Sequence, residues 1–186
     1  MSEPYFLTGK FLLAMPALDG STFGRSVIFM CNHDQEGAMG IVINKPFEVL
    51  DFAGLLEQLE IDAEGAPNLA IHEGGPVEPG RGFVLHSADY VQDSTLRIKE
   101  SHGVTATVDV LRAIVKGDGP QEHLVALGYA GWGPGQLENE IQENSWMIAD
   151  GCDEIIFHTE VDDKWPRAMA MLGIELSALS TEAGHA

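Results

Sequence analysis

Basic residues, cysteines and long apolar runs are all scarce in this sequence, and each scarcity removes a class of function. Ten lysines and arginines stand against 29 aspartates and glutamates, a formal charge of −19. Proteins hold phosphate backbones by neutralising them with cations, and here the cations are scattered. Direct contact with nucleic acid is not expected, and neither is an anionic membrane surface. The two cysteines, Cys31 and Cys152, lie far apart among apolar neighbours, which suits reduced, buried thiols in a cytoplasmic protein. No apolar run approaches the roughly 18 residues of a membrane span. The opening MSEPYFLTGKFLLAMPAL has Glu3 before its apolar stretch and Lys10 within it, unlike a secretory signal.

What the chain does have is an ordinary globular interior. Its 186 residues, 45% of them hydrophobic, fit one domain over residues 1–186. A domain of this size buries roughly 70% of its unfolded surface without needing disulfides. Apolar runs at 10–15, 26–31, 38–44, 68–72, 82–86, 96–99, 123–129, 146–148 and 154–158 predict short strands, the second and third joined as a hairpin across the polar turn 32–37. Helical spacing puts Phe52, Leu55, Leu56 and Leu59 on one face behind Asp51 as N-cap. It does the same for Val108, Leu111, Ile114 and Val115 between Thr107 and Gly117. A last helix, capped by Asp162 or Asp163, has Trp165, Met169 and Leu172 on its buried side and Pro166 in its first turn. Strands and helices do not alternate regularly. The pattern predicts an α+β fold, a single domain with a strongly curved, barrel-like mixed β-sheet and about four helices.

The densest stretch is 127–146, LGYAGWGPGQLENEIQENSW, a strand leading through Gly128, Gly131, Gly133 and Gly135 into a short polar helix. Backbone N–H groups at such a helix start can cradle an anion, or the glycines simply permit tight packing under Tyr129 and Trp132. Glu138 and Glu140 already answer the helix dipole, and no Lys or Arg is nearby in sequence. At 100° per residue those two carboxylates point about 160° apart, so this helix alone supplies no convergent acid/base pair. A dyad needs a partner from elsewhere, such as Glu73 or Asp34. Seven histidines, at 33, 72, 86, 102, 123, 158 and 185, show no metal-ligand spacing. Ser26 sits in no nucleophile elbow, and neither cysteine has a basic neighbour. No catalytic residue, metal or cofactor is assigned.

The chain resembles the YqgE/AlgH family, an uncharacterised bacterial family. The resemblance is carried by 9–16 (GKFLLAMP), Phe23-x-Arg25-Ser26-Val27-Ile28, His33, 37–46 (GAMGIVINKP), Gly74-Gly75-Pro76-Val77, 82–86 (GFVLH), 128–140 (GYAGWGPGQLENE), Trp146 and the terminal Gly184-His185-Ala186. It implies a single α+β domain with a barrel-like mixed sheet, and a transcriptional-regulator label without an established mechanism. It carries over no catalytic residue or cofactor. At −19, with no helix-turn-helix signal, regulation through a small molecule or a protein partner is expected rather than direct contact with DNA. The expected pocket is walled by Trp132, Gln136 and Glu140, with Asn44, Gly75, Pro76 and His86 from neighbouring turns, because loops at strand ends carry pockets. The competing expectation is a hydrolase-like enzyme with Glu140 or His86 as general base.

Overall fold

Strands whose side chains alternate between two apolar faces must be covered on both, and that requirement shapes the whole molecule. The computed structural model describes residues 6–173. Gly184, His185 and Ala186 lie outside the described residues. The strands are β1 (Lys10–Ala14), β2 (Val27–Asp34), β3 (Gly37–Val42), β4 (Ile71–Glu73), β5 (Val77–Ser87), β6 (Leu96–Ile98), β7 (His102–Thr105), β8 (His123–Trp132) and β9 (Trp146–Asp150). They form one mixed sheet in the order β6-β7-β5-β8-β3-β2-β1-β9, in which β4 joins β8 in parallel and every other pairing is antiparallel.

The sheet curls strongly. β7 and β2 are separated by four inter-strand steps, roughly 19 Å in a flat sheet. Yet the rings of His102 and Phe29 stand 5.1 Å apart. Inside the curl, Phe11, Leu13, Val27, Phe29 and Cys31 meet Ile98 and Val104 from the far edge. The open side is closed by α4 (Asp153–Phe157) and α5 (Val161–Met171), which contribute Ile155, Ile156, Trp165 and Met169. The alternate residues Leu12, Ala14, Ile28 and Met30 face outwards and are covered by Trp132, Trp146 and Leu137 of α3 (Gln136–Gln142). Elsewhere on the outside, α1 (Phe52–Gln58) and α2 (Val108–Lys116) cover Val84, Val125 and Leu127.

Local signals hold well for α1 and α2. Asp51 accepts the Gly54 N–H at 2.8 Å as an N-cap, and Gly117 takes the left-handed conformation that ends α2. Thr107 occupies the cap position but spends its hydroxyl on Gln92 Oε1.

Several expectations are corrected. Residues 154–158 form helix α4, not a strand: Asp153 and Glu154 favour a helix N-terminus, and so short an apolar run has no decisive period. β7 (His102–Thr105) forms where the spacing predicts no strand. Leu59 and Leu172 are partly exposed. α5 begins after Glu160, so Pro166 lies inside it rather than in its first turn. β8 continues to Trp132, which places Gly128 and Gly131 within a strand and leaves Gly133 and Gly135 to the turn. Gly128 has φ +77°, and a Cβ there would strike the carbonyl of Gly75. A Cβ on Gly75 would in turn strike the Tyr129 backbone. The two glycines let the β4–β5 turn lie directly on β8.

Candidate functional site

Three segments distant in sequence close around one cleft. The loop at 22–25, the turn at 44–47 and the turn at 73–79 enclose an apolar cavity of about 240 Å³, walled by Phe23, Val42, Phe47, Pro76 and Leu127. Gly75 also lines it, and Lys45 and Glu73 bring charge to it. Lys45 lines a second cavity too, of about 350 Å³, with Arg25, Asn44, Asp162 and Trp165.

The backbone here is well anchored. Asn44 accepts the Val27 N–H and donates to the Arg25 carbonyl, both at 2.8 Å, so it ties the loop to the end of β3. Arg25 holds φ +55°, rare for a residue with a side chain. Its guanidinium lies 5.3 Å over the Trp165 ring, which is itself fixed by an indole bond to the Ala14 carbonyl at 3.0 Å. Lys45 donates to the Thr22 carbonyl. Burial draws its amine below the ordinary lysine range, and the Glu73 carboxylate partly opposes that.

Gly75 and Pro76 therefore line the apolar cavity and Asn44 the second one, with Lys45 common to both, whereas the other residues put forward from the sequence lie elsewhere. Trp132, Gln136 and Glu140 form their own cluster. Trp132 and Trp146 donate their indole N–H groups to Glu140 Oε1 at 3.1 and 2.9 Å, and Gln136 donates to Oε2 at 3.0 Å. Glu138 on the opposite side of α3 accepts a hydrogen bond from Nε2–H of buried His33, whose Nδ1 accepts from the Leu7 N–H. The two carboxylates thus pin α3 to different partners, as their angular separation implies. His86 is wholly buried: its Nδ1 donates to the Ser87 carbonyl and its Nε2 accepts from the Thr105 hydroxyl, both at 2.8 Å.

Two further arrangements involve residues that no sequence motif marks. Lys164, only 3% exposed, donates to the Ile43 and Ile156 carbonyls at 2.8 and 2.9 Å. Burial pushes its amine down to about 8. It shares a cavity of about 270 Å³ with His72, whose ring burial holds down to about 4. The available signal was a lysine four residues before Ala168 on the apolar stripe of α5. In the second arrangement Ser101 Oγ lies 2.7 Å from His102 Nδ1, and His102 Nε2 lies 2.6 Å from Asp153 Oδ1. Asp153 comes from a distant helix, so the sequence offered no hint of it.

A family model described as DUF179, AlgH-like, matches residues 11–177. The chain belongs to the AlgH-like family. A UPF0301 protein of Bradyrhizobium diazoefficiens is 50% identical over 194 residues, covering 100% of this chain and 91% of the relative. One from Nitrobacter hamburgensis is 50% identical over 97% of this chain and 88% of its own length. Among solved structures, the AlgH protein from Pseudomonas aeruginosa superposes with a TM-score of 0.81 at 40% identity, covering 100% and 99% of the two chains. A Corynebacterium diphtheriae protein, 21% identical with a TM-score of 0.71 over 92% and 90%, shares the fold. Of the segments that carry the sequence resemblance, Phe23, Arg25, Asn44, Lys45, Gly75 and Pro76 line the two cavities that share Lys45. Among the described residues, no group of three or more His, Cys, Asp or Glu side chains could hold a metal ion, and no helix is long and apolar enough to cross a membrane.

Proposed function

We propose that this AlgH-like protein is a regulatory binding protein whose small-molecule ligand places its apolar part between Phe23, Phe47, Pro76 and Leu127, and that it does not contact DNA directly. The supporting observation is the apolar cavity of about 240 Å³ assembled from three separate segments, with charged groups only at Lys45 and Glu73. Binding sites are concave and mostly apolar, with few well-placed polar groups. At the roughly 30 Å³ a water molecule occupies in the liquid, the space suits a body on the order of eight non-hydrogen atoms. The formal charge of −19 argues against operator DNA. Screening small organic fragments by thermal shift and by NMR tests this reading. Binders are expected to move the resonances of Val42, Phe23 and Leu127. A screen in which no fragment moves them sinks it.

A second reading, ester hydrolysis, is favoured by the hydroxyl–imidazole–carboxylate series of Ser101, His102 and Asp153. His102 Nδ1 would take the Ser101 proton while Nε2–H is held by Asp153, the nitrogens exchanged relative to serine proteases. Turnover of p-nitrophenyl acetate that survives Ser101→Ala excludes it.

A further inference from the structure

Two neighbouring cavities of different character share Lys45 in their walls. We infer that the ligand is a small apolar monocarboxylate, with its head between Arg25 and Lys45 and its body in the chamber under Phe23 and Phe47. This rests on the binding function proposed above and adds the chemical class of the ligand.

Cations are the rarer charge in this chain, ten against 29. Two of the ten nevertheless converge here, and among the described residues neither forms an ion pair. Arg25 is held in place rather than merely exposed. Its carbonyl is bound by Asn44 and its guanidinium carbon lies 5.3 Å from the centroid of the Trp165 ring. A planar guanidinium fixed in this way offers the paired N–H donors that fit a carboxylate. Lys45, drawn partly out of water, gains most from a counter-ion that replaces lost hydration.

The acidic groups define the charge of the ligand. Glu73 lines the apolar chamber and Asp162 the cationic one, so the two cations face two carboxylates across the cleft. A ligand carrying several negative charges, such as a nucleoside polyphosphate, meets repulsion from both carboxylates and from the overall field. A single negative charge meets the least of that repulsion and can still be held by both cations at once. The apolar chamber, of about 240 Å³, separately demands a hydrocarbon or aromatic body.

The test compares hexanoate, hexanol and hexylamine on the full chain by NMR titration. Hexanoate is expected to bind about tenfold more tightly than hexanol, with hexylamine no better than hexanol. Arg25→Met and Lys45→Met should each remove most of the preference for hexanoate over hexanol, with circular dichroism reporting that the variants are folded. Lys45→Arg should keep it. Equal binding of hexanoate and hexanol, or a preference that survives both Met substitutions, overturns the inference while leaving the apolar cavity as a site. If none of the three compounds moves Val42, Phe23 or Leu127, the cavity reading fails and this inference with it.

Discussion

Replacing Lys164 with methionine keeps the apolar stem and deletes only the buried amine. Burial lowers that amine from its ordinary 10.5 to about 8. At 1.36 kcal/mol per pH unit the gap corresponds to about 3 kcal/mol. The sign follows from proton binding. Between pH 8 and 10.5 the unfolded chain still holds a proton that the folded chain has released, so folding stability rises with pH across this window. Below pH 8 both states hold the proton and the cost of burying the charge is fully present. Lys164→Met removes that cost and also strips the donor from the Ile43 and Ile156 carbonyls, a loss of about 1–3 kcal/mol each. Near neutral pH the two effects oppose, and the net change lies between about 1 kcal/mol of stabilisation and about 3 kcal/mol of destabilisation. Towards pH 10.5 only the lost hydrogen bonds remain, and the destabilisation grows by about 3 kcal/mol. Urea unfolding of both chains, followed by circular dichroism from neutral pH upwards, measures the difference. Burial of Cys31, whose thiol is pushed up to about 12, destabilises the fold as pH rises above 9, but it does so equally in both chains and cancels. A difference that stays flat from neutral pH to 10.5 refutes the account of the amine as desolvated.

Acid acts through His72, which stays neutral in the folded chain down to about 4 while the unfolded ring titrates at 6.5. The unfolded state binds more protons between those values, so stability falls on acidification through that window by about 3 kcal/mol. His72→Asn, which can still donate to Val125, should lose that slope in the same unfolding measurement. Glu140→Gln should cost about 2 kcal/mol, because its new amide faces the Gln136 amide donor and the two indoles lose a charged acceptor. In a chain of this size that is a fall in Tm of roughly 4–8 °C by calorimetry. A variant as stable as the parent would show that Trp132 and Trp146 pack without the carboxylate.

Legibility in the sequence followed the range of the interactions. The N-cap at Asp51, the stripe of α1 and the glycine stop of α2 are set within a few residues, so spacing alone reveals them. The short apolar runs at β1 and β2 likewise marked strands, and the balance of strands to helices marked the α+β class. Residues 154–158 misled because a five-residue apolar run fits either period, and the packing of Ile155 and Ile156 into the curl decided for a helix.

The cleft shows the other side of this division. Asn44, Gly75 and Pro76 were legible as residues at turns, but their grouping with Arg25, Lys45 and Trp165 depends on strand register and on α5 closing the curl. The separation of Glu138 from Glu140 could be read from helical angles. That one would bind His33 and the other two indoles could not, because those partners are brought by β2, β8 and β9. The same holds for Lys164, whose carbonyl acceptors come from the end of β3 and from α4. The sequence alone determined the charge, the class of fold and the local elements, since these depend on composition and near neighbours. Tertiary structure decided which of those residues meet, because contacts between distant segments are set by register and curl rather than by spacing along the chain.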